Sequence, residues 1–314
     1  MQRYWGVLYL AGAFTLAGTS VIAGRFVIDV LGTFTIAAVS LFFALLGLVP
    51  LCGRELGGTL QRMSRHDWLR LLLQALFGIF LFRLFLLQGL IRTSAGEAGI
   101  LTGATPAVTA LLAWLVLKEE LSRERLLGII STVAGILVLQ GILAPVTGIS
   151  REHLAGNILV LGAAVCESLF NIFSRLHSIK ASAGQTPQID PLVQSTLVSG
   201  LALVLCMGPA LLEEPGTALA GLGLTGWAAL VWYGLFVTAL AFIFWYSGIK
   251  RCDASVAAAF SGMMPFTSLL LSVLLLGEQP GWQQWLGGFL VMLGMMVTGL
   301  KLPALKVQSQ SPGG

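Results

Sequence analysis

The sequence predicts an all-α integral membrane protein with ten transmembrane helices, built as two inverted five-helix repeats. Of its 314 residues, 56% are hydrophobic and only 10% are charged, whereas soluble domains carry about a quarter charged residues. So few charges cannot cover a water-facing surface, and the class is therefore a membrane protein. The chain also holds ten long apolar runs and one internal repeat, which set the number and the arrangement of the helices.

The apolar runs give the number of helices. A membrane-spanning helix needs about 20 predominantly apolar residues. Ten such runs can be drawn, at 5–24, 33–52, 68–91, 95–117, 124–143, 154–176, 191–212, 223–249, 253–276 and 282–301. The tail 302–314 is rich in Ser, Gln, Pro and Gly and is predicted to be a disordered cytoplasmic segment.

Lys and Arg predict the orientation. Most of the 18 Lys and Arg residues fall in the loops and ends on the side of the N-terminus, and the opposite side holds Arg25, Arg92 and Arg151. Because positive residues concentrate on the cytoplasmic side, both termini are predicted to be cytoplasmic.

The internal repeat predicts how the helices are arranged. The segment Gly89–Glu119 recurs as Gly248–Glu278 at a constant offset of 159 residues. The start of the repeat recurs more weakly at an offset of 150, which aligns Gly12 with Gly162. Each half has five spans, an odd number, so the second copy must enter the membrane from the opposite face. We therefore divide the chain into a first repeat, residues 1–150 with helices 1–5, and a second repeat, residues 151–301 with helices 6–10.

One motif carries a family resemblance. Residues 94–121 read S-x-G-x-A-G-I-L-x-x-x-x-P, followed by a leucine-rich run and L-K-E-E-L. The second half repeats it as D-A-S-V-A-A-A-F-S-G-M-M-P with L-L-L-G-E-Q. This pattern resembles the EamA family of the drug/metabolite transporter superfamily, over nearly the whole chain. The resemblance implies a ten-helix transporter with a central cavity lined by helices 1, 3, 4, 6, 8 and 9. It also implies that helices 5 and 10 lie to the side, supporting dimers in some members, and that amino acids or other small metabolites are moved outward.

Two charges inside predicted spans are candidates for the substrate site. Arg83 lies in the third span and Glu167 in the sixth, and a charge at mid-helix costs about 2.5–3.5 kcal/mol on insertion scales. We expect both to face the cavity, with its water and each other as partners. Asn171 lies four residues after Glu167 and therefore shares its helix face. The alternatives are a structural ion pair, or a position against lipid-side neighbours.

The polar lining is predicted to be asymmetric. The repeat aligns Arg83 with Phe242, so one half supplies a charge where the other supplies a ring. This asymmetry suits a substrate with distinct ends, such as an amino-acid-like zwitterion. Phe242, Trp245 and Tyr246 are candidates for an aromatic wall of the cavity. The alternative for Trp245 and Tyr246 is the interfacial aromatic belt near Lys250.

Two glycine–proline pairs are candidate hinges or gates. Gly103 and Pro106 lie in span 4, and Gly262 and Pro265 occupy the same places in span 9. A proline removes a backbone hydrogen bond and kinks a helix, while a glycine permits close helix approach. The alternative is plain close packing. Glu97, near the outside end of span 4, is interpreted as interfacial, with an outer-gate role as the alternative.

The predicted function is a secondary transporter that exports a small, amino-acid-like or similarly polar or amphipathic metabolite across the bacterial inner membrane by alternating access. An importer or facilitator of the same fold is the alternative. Less favoured are a subunit without transport and a membrane enzyme acting on lipid-linked substrates, which would need clustered acidic residues. The sequence has no phosphate-binding G-x-x-x-x-G-K-[ST] loop. We therefore expect no ATP, cofactor, metal, nucleic acid or catalytic residue, and a monomer or homodimer in the lipid bilayer.

Overall fold

The computed structural model is a helical bundle. It describes residues 2–118, 121–140, 151–182, 189–249, 251, 260 and 262–299. The predicted tail and Glu119 lie outside these ranges, and so does the side chain of Tyr246. No strand occurs within them.

Fifteen α-helices follow in chain order. They are α1 (Gln2–Gly18), α2 (Ser20–Arg25), α3 (Thr33–Arg62), α4 (Arg65–Ala75), α5 (Phe82–Leu90), α6 (Ala95–Thr102), α7 (Thr105–Leu117), α8 (Arg123–Leu139), α9 (Arg151–Ser182), α10 (Pro191–Leu211), α11 (Pro215–Ala220), α12 (Leu224–Val231), α13 (Ala241–Ile249), α14 (Met263–Leu276) and α15 (Trp282–Gly299). Local sequence signals begin several of them: Ser64 and Asp67 form a capping box at α4, and the hydroxyl of Ser122 accepts a bond at the start of α8.

Seven segments are long and apolar enough to cross a membrane by length and composition. They are Tyr4–Arg25, Thr33–Gly53, Arg65–Leu90, Ala95–Val116, Arg151–Ser174, Leu192–Leu211 and Leu224–Trp245. The chain is therefore a multi-pass membrane protein, as its composition predicted. The count of ten stays a prediction, because α8 has 17 residues and α14 has 14, fewer than the roughly 20 that a span needs.

Two π-helical turns interrupt the long apolar segments. The first π turn, Leu76–Leu81, joins α4 to α5, and the second π turn, Trp232–Leu240, joins α12 to α13. Adding the repeat offset of 159 to the first π turn gives residues 235–240, which lie within the second. The sequence did not predict these turns, although they recur at matched places in the repeat. Such bulges are rare and frequently lie at functional sites.

Contacts between the halves also recur under the repeat offset. Helices α8 and α15 approach through glycine: a Cβ on Gly128 would lie 2.7 Å from the Gly294 carbonyl oxygen. Exchanging each residue for its counterpart gives Gly287 and Gly135, for which the corresponding distance is also 2.7 Å. These positions require glycine because the two backbones leave no room for a side chain.

Further matched pairs extend across the bundle. The Arg92 guanidinium donates to the carbonyl of Gln88 at 2.6 Å, and its counterpart Arg251 donates to Ser247 O at 2.7 Å. Likewise α7 and α14 both end in a left-handed residue at equivalent positions, Lys118 with φ 54° and Gly277 with φ 67°.

Candidate functional site

Arg83 lies one residue into α5, directly after the first π turn, and is only 5% exposed. Its Nη1 donates to Ser40 Oγ at 2.6 Å and to the Ala37 carbonyl at 3.3 Å, both on α3. Its Nη2 donates to Thr238 Oγ1 at 3.0 Å, in the second π turn. The guanidinium therefore joins the first half to the second.

Aromatic and backbone groups complete the surroundings of Arg83. Its Cζ lies 4.6 Å from the centroid of the Tyr233 ring, a distance that gives a cation–π attraction. The Thr238 hydroxyl donates to the Tyr233 carbonyl at 2.9 Å, five residues earlier in the chain. That spacing is the one that a π turn creates. The second π turn thus places a ring and a hydroxyl at one cation.

No carboxylate among the described residues lies within ion-pair distance of Arg83; the described ion pairs involve Arg25, Arg70 and His153. Three hydrogen bonds engage three of its five N–H groups. The positive charge is therefore solvated by neutral groups and keeps donors for a further acceptor.

Glu167 lies on α9 in the second half and remains partly exposed, although it is far from either end of its span. Its Oε2 contacts Thr105 Oγ1, the first residue of α7, at 2.8 Å. That hydroxyl also faces the Thr102 carbonyl at 2.9 Å and has a single hydrogen for the two acceptors. A carboxylate offers about four lone-pair sites, so Glu167 is far from saturated by the described residues.

Asn171 faces the same neighbour one turn later. Its Nδ2 lies 3.5 Å from Thr109 Oγ1, a long hydrogen bond. Glu167 with Asn171, and Thr105 with Thr109, are each four residues apart and therefore form two rungs between α9 and α7. The polar face that the sequence predicted on α9 thus lies against α7.

The structure does not bring Arg83 and Glu167 together. Their hydrogen-bond partners share no residue, and within the described ranges no ion pair joins them. The expectation that each charge is a partner of the other is therefore wrong for this conformation. The structural ion pair considered as an alternative fails for the same reason.

The aromatic candidates lie on α13. Phe242 and Trp245 are half-buried and each contacts a neighbour. A ring that the sequence did not single out, Phe244, packs on α1: its centroid is 5.5 Å from that of Tyr9. A Cβ on Gly12 would lie 2.9 Å from the same Phe244 ring. The side of α13 that carries Phe244 is thus a packing surface, and the cavity role of Phe242, Trp245 and Tyr246 stays a prediction.

The glycine–proline candidates lie at a helix break. The fourth span is interrupted at Gly103 and Ala104, between α6 and α7. Pro106 stands in the first turn of α7, where the missing N–H is not needed. A Cβ on Gly103 would lie 2.7 Å from Val291 Cγ1, so this position also serves close packing against α15.

In the second half, Gly262 directly precedes α14, and Pro265 is buried as its third residue. Movement at these four positions stays a prediction.

Several residues that build these sites carried no sequence signal. Single hydroxyls such as Ser40, Thr105 and Thr238 are common in membrane helices, where they bond to their own backbone. Their only distinction is the partner that the fold supplies. Within the described ranges, no three His, Cys, Asp or Glu side chains converge as a metal site.

Comparisons with known proteins agree with this fold. The sequence profile of the EamA-like transporter family matches residues 4–140 and 154–300. The uncharacterized transporter YetK of Bacillus subtilis is 30% identical over 292 residues, covering 93% of this chain and 86% of the relative. The uncharacterized transporter YyaM of the same organism is 24% identical, covering 81% of each chain.

A solved crystal structure of a protein that is 21% identical superposes with a TM-score of 0.61, covering 94% of this chain and 96% of that chain. At this identity the likeness concerns the fold alone. Because the family profile matches both halves and YetK is similar over most of its length, the chain belongs to the EamA-like transporter family.

Proposed function

We propose that this protein is a secondary transporter that exports a small amino-acid-like solute across the bacterial inner membrane by alternating access. Its termini are cytoplasmic, and it works without ATP, as a monomer or homodimer. One observation carries the proposal: two opposite charges lie inside the spans, on opposite halves of the chain, and neither is neutralised by the other.

The cationic side is Arg83. A buried charge is expensive unless it is paired, and the described partners of Arg83 are hydroxyls, one carbonyl and one ring. A guanidinium offers a planar fork that matches a carboxylate. In the proposed substrate complex, Arg83 binds the carboxylate of the solute through its remaining N–H groups.

The anionic side is Glu167. Its single described hydrogen bond and its partial exposure leave room for an ammonium group. Asn171 and Thr109 continue the polar strip beside it. A zwitterion supplies one charge to each site, whereas a solute with one charge leaves the other site unpaired.

The arrangement of the chain supports alternating access. We propose two inverted five-helix repeats around a central cavity, and the matched contacts at Gly128 and Gly287 support a two-fold relation between the halves. The broken fourth span is also typical of transporters, whose substrate sites form at discontinuous helices.

The test uses purified protein in proteoliposomes and a matched set of three solutes. These are a labelled neutral amino acid, the amine that lacks its carboxylate, and the acid that lacks its amine. We expect the amino acid to move at least about tenfold faster than either analogue, because each analogue leaves one buried charge unpaired. Equal rates for all three would contradict the proposal.

The choice of amino acid comes from a growth screen. Cells that overexpress the protein are exposed to toxic amino acids and analogues, and resistance that is abolished by Arg83→Ala identifies the class of solute. Accumulation of the solute, giving sensitivity in place of resistance, would favour the importer over the exporter.

A further inference from the structure

A second polar cluster lies at one end of the bundle, away from Arg83 and Glu167. Its centre is Glu97, in the first turn of α6, which is only 4% exposed. The Glu97 Oε2 contacts His153 Nε2 at 2.6 Å and accepts from Asn157 Nδ2 at 3.2 Å. Its Oε1 accepts from Gln284 Nε2 at 2.8 Å. One carboxylate of the first half thus holds α9 and α15 of the second.

His153 links this buried carboxylate to water. Its side chain is 42% exposed, while its ring bonds both to Glu97 and to the backbone of Arg92. A neutral imidazole has one N–H and one acceptor nitrogen, whereas the imidazolium has two N–H groups. Because a carboxylate and a carbonyl both accept, the imidazolium satisfies both contacts. The pair is therefore an ion pair that solvent protons reach.

The cluster also has room for one more proton. The Thr93 hydroxyl lies 2.6 Å from Asn157 Oδ1 and 3.2 Å from Glu97 Oε2. It has one hydrogen, which the shorter contact takes. A proton on Glu97 Oε2 would be donated to the Thr93 oxygen, so the neutral acid also finds a partner here.

Other charged groups around the pair leave this balance to Glu97 and His153. The Arg92 guanidinium donates to Gln88. The Glu278 carboxylate is occupied by the N–H groups of Ala95 and Gly96, at 2.7 and 3.0 Å. On α9, Arg151 and Glu152 are exposed. The group that α15 contributes, Gln284, is neutral.

We propose that Glu97 and His153 form a proton-binding site whose occupancy controls the release of α6 from the second half. The imidazolium passes its Nε2 proton to Glu97 Oε2 and takes another from water, so the pair gains one proton and no other bond changes. The carboxylate becomes neutral, and the charge-assisted bonds between α6 and α9 are lost. That this end faces the outside rests on the proposed orientation; the contact itself does not.

The test needs no solute. Amide hydrogen exchange of α6 is measured on purified protein in nanodiscs, at about pH 5.5 and about pH 7.5, values that bracket histidine and approach carboxyl titration. Exchange times are scaled for the intrinsic pH dependence of amide exchange. After scaling, we expect the first amides of α6 to exchange about tenfold faster at the lower pH, since charge-assisted bonds are lost.

Glu97→Gln imitates the protonated carboxyl and is expected to exchange at the fast rate at both pH values, as is His153→Gln. Two controls keep the wild-type pH dependence: Glu152→Gln, a neighbouring exposed acid, and His66→Gln, an exposed histidine outside the cluster. Wild-type exchange that is independent of pH would mean a static clasp and overturn the proposal. So would a Glu97→Gln protein that keeps the wild-type pH dependence. Either result leaves the solute test at Arg83 and Glu167 unaffected.

Discussion

Arg83 and Glu167 were expected to be equivalent halves of one site, and their surroundings differ. Arg83 is nearly enclosed and reaches α3, the second π turn and an aromatic ring. Glu167 keeps part of its surface accessible and contacts a single hydroxyl. The same rule, that a charge in a membrane helix needs a partner, is met by the protein at Arg83 and left largely unmet at Glu167.

This difference teaches that the two charges have unequal roles. Arg83 positions elements of both halves and has few donors left for a solute. Glu167 has nothing in the described fold that it holds together except Thr105. Substitution of Glu167 should therefore affect transport with little change in stability, while substitution of Arg83 should affect both.

The largest effect is expected for Glu167→Gln. The amide keeps the shape and the contact with Thr105 but removes the charge that binds the ammonium group, so efflux of the amino acid should fall about 100-fold. Initial efflux rates from proteoliposomes measure this, and the melting temperature should stay close to wild type. Glu152→Gln is the matched control. A Glu167→Gln protein that transports normally would remove Glu167 from the site.

A smaller loss is expected for Arg83→Lys. The ammonium keeps the charge but cannot span Ser40 and Thr238 as the planar fork does. Transport should fall about tenfold and the melting temperature should also decrease. Arg62→Lys, at the exposed end of α3, serves as control. If Arg83→Lys lowers transport and leaves the melting temperature unchanged, Arg83 has no positioning role and the contrast with Glu167 disappears.

Thr238→Val isolates the second π turn from the charge. The change removes an acceptor for Arg83 and the donor to the Tyr233 carbonyl, which should lower the free energy of unfolding by about 1–2 kcal/mol. Thermal unfolding in detergent measures it against Thr217→Val, which is exposed on α11. Equal melting temperatures for the two variants would show that the π turn does not depend on this hydroxyl.

The smallest effect is expected for Asn171→Ala. Its bond to Thr109 is 3.5 Å long and therefore weak. Efflux should change less than about threefold. A loss as large as that of Glu167→Gln would instead make Asn171 an equal member of the site, and the polar strip on α9 would extend further than the carboxylate.

The sequence found the charges but not what surrounds them. Arg83 and Glu167 stand out because a charge in an apolar run is rare, a property that a single residue carries by itself. Their partners Ser40, Thr238 and Thr105 are ordinary hydroxyls. The Glu97 cluster was reduced to an interfacial acid for the same reason: His153 and Gln284 are 56 and 187 residues away along the chain.

The proline-based prediction was partly wrong about the form of the break. Pro106 suggested a kink within one helix, whereas the fourth span ends at Thr102 and restarts at Thr105. A proline in the first turn of a helix breaks nothing, since its N–H has no partner there in any case. The crossing of α15 over Gly103 lies beside the interruption, and that contact is visible only in the fold.

By itself, the sequence determined that the chain lies in a membrane, that its second half repeats the first, and which family it belongs to. Those properties depend on composition and on residues compared along the chain. The tertiary structure alone decided the π turns, the separation of Arg83 from Glu167, and the link between Glu97 and His153. A hydrogen-bond partner is set by which helix faces meet, and helix packing in lipid depends on close contacts between distant small residues, which local apolar patterns do not encode.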